Sequence, residues 1–199
     1  MSDTLPDWSH LHFHPVVVFP QTPVVLDLTA QGLKSQGFEA LWSVGRYDED
    51  RAIYVQELFS GERRIHLGID LGGPVGVAVH AFASGEVFYS GYNPADGDYG
   101  HVVVTRHRIE GRTVFALFGH LSEPTLGLSP VGRRFQQGEV LGWLGDRHEN
   151  GGWPPHVHVQ LSWDDPGIHD MPGAATAEQR AELLGRYPDP RIVLGPLYS

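Results

Sequence analysis

The sequence predicts a mainly β protein, an antiparallel β-sandwich or barrel-like core in one domain. Glycine and proline account for 25 and 15 of the 199 residues and interrupt the chain too often for long helices. From residue 64 onward, short β-rich stretches alternate with turn-like separators such as Asn150-Gly151-Gly152. A chain of this length supports one sizeable core with little left for a second.

The predicted strands follow from β-branched and aromatic stretches bounded by turns. Residues 24–28 and 52–59 predict early strands, whereas glycines make residues 29–42 ambiguous. The regular part of the chain predicts strands at 65–71, 77–81, 85–89, 101–107, 113–118, 140–144 and 156–162.

One short helix is predicted near the C-terminus. Thr176 and Gln179 have the spacing of a capping box. Ala177, Ala181 and Leu184 then fall on one face, and Gly185 stands where a helix would end. We interpret this helix as a packing element without chemistry.

The chain contains no linker long enough to separate two domains. We therefore expect an N-terminal extension, 1–63, packed on a core, 64–162, with the helix and tail, 163–199, in the same domain. His10, His12 and His14 would share a face of a strand. They predict a partly exposed strand or arm, with a metal-binding cluster and an arm folded over the active site as the alternatives.

The composition excludes several classes of function. The formal net charge of −10 argues against nucleic-acid binding and gives no attraction to anionic membranes. There are no cysteines, so thiolate metal sites and cysteine nucleophiles are excluded. No secretory signal is visible near Asp3 and Asp7, which predicts a cytoplasmic protein unless a leader was removed. The oligomeric state stays open.

Two predicted strands carry potential metal ligands on one face. His66 and Asp70 share a face, and Gly68 between them would leave room for an ion. His156 and His158 share a face of another strand. If these strands were adjacent, two imidazoles and a carboxylate would meet, a set that suits tetrahedral zinc with water as its fourth ligand.

These motifs resemble the lysostaphin/LytM-type zinc endopeptidases, metallopeptidase family 23. The marks of that family are a His-x3-Asp, a later His-Leu-Ser-like segment and a terminal His-x-His, and all three occur here in that order. The resemblance covers about residues 64–162. The segment around Trp153 is also similar to the subtype found in cytoplasmic fusions with kinase-like and aminotransferase domains.

The resemblance implies a LytM-like fold, the duplicated hybrid or barrel-sandwich motif, and zinc-dependent hydrolysis of a peptide or amide bond. The expected substrate is a peptidoglycan-type or other small peptide. By position in the motifs, His66, Asp70 and His158 become zinc ligands, and His120 and His156 the catalytic pair. Because no His-Glu-x-x-His supplies a glutamate base, histidine would move the proton, and the sequence leaves open which one is the base.

Alternatives remain at this point. One is a non-catalytic metal-binding module on the same fold, and another is a cupin-type metalloenzyme, whose pattern Asp164, Asp165 and His169 imitate poorly. The ligands could instead form a hydrogen-bonded cluster without metal, and His120 and His156 could be packing residues.

Other residues near these motifs are ambiguous. Tyr92, Tyr99 and Trp153 could line a groove beside the metal or belong to the core. Gln160 stands where the family commonly has glutamate, which removes a charge beside the ligands.

Overall fold

The strands and helices of the computed structural model, which describes residues 6–35, 41–59 and 62–198, confirm the mainly β prediction. The described residues contain four short α-helices: α1 Gly32–Ser35, α2 Pro124–Leu128, α3 Arg180–Arg186 and α4 Arg191–Leu194. They contain twelve strands: β1 Val24–Val25, β2 Ser43–Gly45, β3 Ile65–His66, β4 Ile69–Gly72, β5 Ala78–His80, β6 Gly85–Asn93, β7 Gly100–Ile109, β8 Arg112–Leu121, β9 Arg134–Phe135, β10 Val140–Trp143, β11 His156–Ser162 and β12 Ala174–Ala175.

An eight-stranded sheet in the order β1-β2-β4-β11-β8-β7-β6-β9 forms the centre of the fold. Its pairs are antiparallel except for the parallel pair β1–β2. Residues alternate between two apolar cores, since Val103 belongs to one core and Val102 and Val104 to the other. The small sheets β10-β5 and β12-β3 contribute to these two cores separately, through Val79 and Ile65.

The predicted strand 65–71 is wrong in one respect, because it is two strands in two sheets. β3 pairs with β12, and β4 pairs with β11. The chain changes sheets at Leu67 and Gly68. His66 and Asp70 therefore lie in different strands, whereas the prediction assumed that they share one face of a single strand.

Two of the early strand predictions also need correction. The predicted strand 24–28 is reduced to β1, and the predicted strand 52–59 is replaced by turns and a 3-10 helix, Glu57–Phe59. In this segment, aromatic packing takes the place of strand pairing, since Tyr54 stacks on Phe59 with ring centroids 4.3 Å apart. Within the ambiguous stretch 29–42, α1 is observed, and residues 36–40 lie outside the described part of the chain.

The N-terminal segment packs on the first core through Trp8, Val16 and Val17. No strand is assigned in the described residues before β1, so the three alternating histidines do not share a strand face. His10 lies 2.9 Å from Glu110, in the turn between β7 and β8. That turn is at the opposite end of the hairpin from His120.

The C-terminal helix begins later than predicted, at Arg180, so the predicted pair Thr176 and Gln179 closes the turn before the helix and does not cap it. The amide of Gln179 donates to the Thr176 hydroxyl at 3.2 Å, and the amide of Thr176 donates to the Gln179 side-chain oxygen at 3.3 Å. The helix α3 continues through Gly185, so that glycine does not end it. Leu184 packs on the second core together with Leu183, whereas Ala177 and Ala181 are exposed.

None of the helices in the described ranges is long and apolar enough to cross a bilayer. The longest of them, α3, has seven residues.

His107 is a buried histidine in β7, away from the ligand motifs. Its Nδ1 donates to the carbonyl of Ser84 at 3.1 Å, and its Nε2 lies 2.7 Å from the Thr105 hydroxyl. Burial lowers the pKa of His107 from 6.5 to about 4. The side chain is therefore neutral in the folded protein at pH 7.

We expect the free energy of unfolding to decrease as pH falls from about 6.5 to about 4. In this range His107 binds a proton in the unfolded chain but remains neutral in the folded protein. The slope from this group is at most about 1.4 kcal/mol per pH unit. Urea unfolding of His107→Gln across this range should show a shallower dependence on pH than the wild type. His148→Gln, at an exposed position, is the control, and equal slopes for wild type and His107→Gln would contradict the assignment.

Candidate metal centre

Three donor atoms from His66, Asp70 and His158 face one another in the structure. His66 Nε2 lies 3.0 Å from His158 Nδ1, His158 Nδ1 lies 3.1 Å from Asp70 Oδ1, and His66 Nε2 lies 3.3 Å from Asp70 Oδ1. Ligand atoms around a tetrahedral zinc lie about 3.3 Å apart, given metal–ligand bonds of about 2.0 Å. The triangle therefore has the size of a coordination face for a small divalent ion.

The sheet register brings two of these ligands together. β11 runs antiparallel to β4 with His158 directly opposite Asp70, and opposed residues of such a pair point to the same side of the sheet. His66 arrives from β3, where it pairs with Ala174 of β12. The predicted adjacency of the two ligand-bearing segments is thus observed, although a change of sheet, and not strand alternation, positions His66.

Gly68 leaves room for an imidazole and not, as the sequence suggested, directly for an ion. A Cβ atom at this position would lie 2.5 Å from Cε1 and 2.6 Å from Nε2 of His158. Such distances are far below van der Waals contact, so a glycine is needed here for the His158 ring to adopt its observed position.

Hydrogen bonds to the outer nitrogens determine which ring atoms face the centre. His66 Nδ1 donates to the carbonyl of Arg46 at 2.7 Å, and His158 Nε2 donates to the side-chain oxygen of Gln160 at 3.0 Å. Both protons point away from the centre, so His66 Nε2, His158 Nδ1 and Asp70 Oδ1 all meet as acceptors. A cation between them satisfies all three, and so the donor set fits a metal ion.

Gln160 provides a neutral oxygen at the position where the family resemblance leads one to expect the charge of a glutamate. Its amide nitrogen donates to the carbonyl of Pro172 at 3.2 Å, which orients the amide oxygen toward His158. The hydroxyl of Tyr99 donates to the same oxygen at 3.3 Å. The charge of a glutamate is absent, but the hydrogen-bond acceptor for the ligand histidine is retained.

Arg51 is a part of this centre that no sequence motif indicates. The side chain is buried, with 2% of its surface exposed, and its Nη1 donates to Asp70 Oδ2 at 2.6 Å. Its Nε donates to Glu49 at 3.2 Å, and its Nη1 also donates to the Tyr54 hydroxyl at 3.0 Å. Arg51 therefore occupies one oxygen of Asp70 and leaves the other for the metal.

The charge states of the ligands suit metal binding. Burial, with the nearby Arg51 charge, lowers the pKa of His66 to about 3, so its imidazole is neutral at pH 7. Burial alone would raise the pKa of Asp70, but its interactions with His66 and with the permanently charged Arg51 hold that pKa well below the ordinary value. The centre thus presents a carboxylate and a neutral imidazole lone pair.

His120 and His156 lie side by side next to the three ligands, with ring centroids 4.3 Å apart. His120 Nδ1 donates to the carbonyl of Asn150 at 2.8 Å, and His156 Nδ1 donates to the carbonyl of Pro154 at 2.7 Å. Each Nε2 is therefore free to accept a proton. His156 Nε2 lies 3.7 Å from Asp70 Oδ1.

Both of these histidines are neutral near pH 7. Burial, followed by the proximity of the His156 and His158 rings, holds the pKa of His120 well below its usual value. Burial also lowers the pKa of His156, although Asp70 opposes that shift. His120 adopts a left-handed backbone conformation with φ of 61°, which is uncommon for a non-glycine residue and is found at functional sites.

A cavity of about 760 Å³ opens onto Asp70, His120, His156 and His158. Tyr99 and Trp153 line it, as one of the two interpretations of these aromatic residues proposed. Tyr92 does not belong to the lining and stacks instead on His101, with ring centroids 4.4 Å apart.

The residues that would support a cupin-type centre lie apart from these ligands. Asp164 pairs with Arg186, Asp165 accepts a hydrogen bond from Tyr89, and His169 packs against Gly91. In the described ranges, a set of three potential ligands with donor atoms within 4.8 Å of one another is found at His66, Asp70 and His158. Asp164, Asp165 and His169 do not belong to that set.

Comparison with known proteins points to one family. The model of Peptidase family M23 matches residues 64–169, just over half of the chain. The peptidoglycan DD-endopeptidase ShyC of Vibrio cholerae is 32% identical over 127 residues, which cover 64% of this chain and 26% of that protein. The DD-carboxypeptidase/endopeptidase Mpg of Neisseria gonorrhoeae is 34% identical over 97 residues, covering 49% of this chain and 20% of that protein.

The aligned regions thus span only about a quarter and a fifth of the length of these two curated relatives. Among solved structures, the catalytic domain of lysostaphin from Staphylococcus simulans is similar, at 18% identity and a TM-score of 0.47, over 78% of this chain and 97% of that one. The family assignment rests on the sequence match and not on this structural likeness.

We expect Gly68→Ala to weaken binding of a divalent metal at least about tenfold, because the added methyl group displaces the His158 ring. Metal affinity is measured by competition with a chromogenic chelator. Gly127→Ala is the control, since a Cβ there meets no atom within 4 Å. Unchanged affinity in Gly68→Ala would show that the centre does not need His158 in this position.

We expect Arg51→Met to lower the free energy of unfolding of the metal-free protein by about 3 kcal/mol, because buried carboxylates lose their positive partner. Urea unfolding at pH 7 with a chelator present measures this. The double variant Glu49→Gln/Arg51→Met should recover part of the loss, since one of the unpaired charges is removed. A single variant as stable as the wild type would refute this account of Arg51.

Proposed function

This chain belongs to peptidase family M23, and on that premise we propose that it is a zinc-dependent endopeptidase that hydrolyses a peptide or amide bond. The observation that carries the proposal is the triangle of acceptor atoms from His66, Asp70 and His158, next to two neutral histidines. Since relatives in this family are named for peptidoglycan endopeptidase activity, we propose a peptidoglycan-type or similar small peptide as substrate.

A zinc ion at this centre would supply Lewis acidity for the scissile carbonyl and lower the pKa of a bound water to about 7. His66 and His158 would hold it through Nε2 and Nδ1, and Asp70 through Oδ1. Arg51 keeps the second oxygen of Asp70 occupied, which favours binding through one oxygen. The protein adds orientation to these ligands through the carbonyl of Arg46 and the amide oxygen of Gln160.

The proton transfers fall to His120 and His156. Both present an unprotonated Nε2 on the cavity side, so either can accept the proton of the attacking water. The residue that accepts it can then deliver it to the leaving amine. The carboxylate of Asp70 stabilises a proton on His156, which favours His156 as the first acceptor and as the group that returns the proton to the leaving amine. His120, whose Nε2 is unprotonated, can accept a hydrogen bond from the attacking water or from the amine and so orient it.

A non-catalytic metal-binding module on the same fold is the competing proposal. A module of that kind would need the three ligands but not the pair beside them. The second pair of histidines, oriented through their Nδ1 atoms, therefore supports the enzyme. The cupin-type alternative is not retained, because the chain belongs to family M23.

We expect purified protein to contain about one zinc ion, His66→Ala to lose it, and His120→Ala to keep it while losing hydrolysis by about 100-fold or more. Metal content after dialysis and cleavage of oligoglycine and muropeptide substrates are the measurements. His148→Ala, at an exposed position away from the cavity, serves as the control. Full metal content in His66→Ala would overturn the ligand set, and bound zinc without cleavage would favour the module.

A further inference from the structure

We propose that the cavity beside the metal centre contains a subsite for a large apolar side chain of the peptide substrate, and that this subsite is built by residues outside the family match. The proposal rests on the peptidase function and specifies its substrate: a peptide with an aromatic or branched aliphatic residue beside the scissile bond. The subsite is formed by Leu26, Leu28, Ile53, Val55, Leu58 and Phe59, which we call the apolar wall.

The apolar wall lies outside the part of the chain that the family model matches. All six residues precede residue 64, where the family match begins. They share one cavity with Asp70, His120, His156 and His158. A volume of about 760 Å³ is in the range of pockets that enclose whole small ligands and exceeds what a glycine-only segment fills.

Aromatic rings connect the apolar wall to the metal centre. Tyr54 stacks on Phe59 of the wall, with centroids 4.3 Å apart, and lies 6.4 Å from the ring of His66. Trp153 lies 6.0 Å from Tyr54 and 6.5 Å from His120. A substrate residue next to the scissile bond therefore has apolar surface within reach of its side chain.

Part of the apolar wall is not used to stabilise the fold. The side chain of Val55 is 80% exposed, and Ile53 and Leu58 are partly exposed. The other three wall residues, Leu26, Leu28 and Phe59, are buried and support the exposed ones from behind. Covering exposed apolar surface at the mouth of a cavity lowers the free energy of the complex. A large apolar side chain of the substrate covers this surface, whereas a glycine does not.

The test compares two peptides that differ only in the residue beside the cleaved bond, phenylalanine in one and glycine in the other. We expect kcat/KM to be at least about tenfold higher for the phenylalanine peptide. Ile53→Ser/Val55→Ser should remove this preference by lowering kcat/KM for the phenylalanine peptide at least about tenfold more than for the glycine peptide. Val131→Ser is the control, because Val131 is 63% exposed and does not line the cavity.

Equal cleavage of both peptides, or preference for glycine, would overturn the subsite and leave the peptidase function standing. If zinc-loaded protein cleaves neither peptide, calorimetric binding of the same two peptides decides. Tighter binding of the phenylalanine peptide, lost in the double variant, would support the subsite although the proposed hydrolysis had failed. Equal binding of both peptides would overturn it.

Discussion

The antiparallel register between β4 and β11 is the constraint on which the candidate centre depends. It places His158 opposite Asp70, and a shift by one residue would turn one of these ligands to the other side of the sheet. The hydrophobic residues on either side of Asp70 and His158 maintain the register. They are Ile69, Leu71, Val157 and Val159, and all of them lie in the first core. The same alternation therefore builds the core on one side and the centre on the other.

Much of the central sheet could be predicted from the sequence. The strand 156–162 has the predicted bounds, and β7 and β8 extend their predictions by only a few residues. These strands carry long β-branched and aromatic runs between clear turns, so local preference and tertiary structure agree. The segment 52–59 is likewise rich in β-branched and aromatic residues, but it packs as an aromatic cluster. Local residue preference does not distinguish such a cluster from a strand.

The candidate site could be predicted where ligands fall into short motifs, and not where the contacts span the chain. Four of the five motif residues line one cavity, and the fifth, His66, is buried behind it at 3.0 Å from His158. The roles of Arg51 and Tyr54 could not be predicted from the sequence. Nothing in the residues around Arg51 indicates that its side chain pairs with Asp70, 19 residues further along the chain. The roles of Gly68 and Gln160 likewise depend on where the His158 ring lies.

The pairing of Arg51 with Asp70 has a consequence for how the protein matures. In proteins whose metal site is a cluster of unpaired acids, folding must wait for the ion. Here a permanent positive charge from the chain itself already partners the buried carboxylate of Asp70, although it is shared with Glu49. We therefore expect the polypeptide to complete its assembly as an intact scaffold before any ion binds.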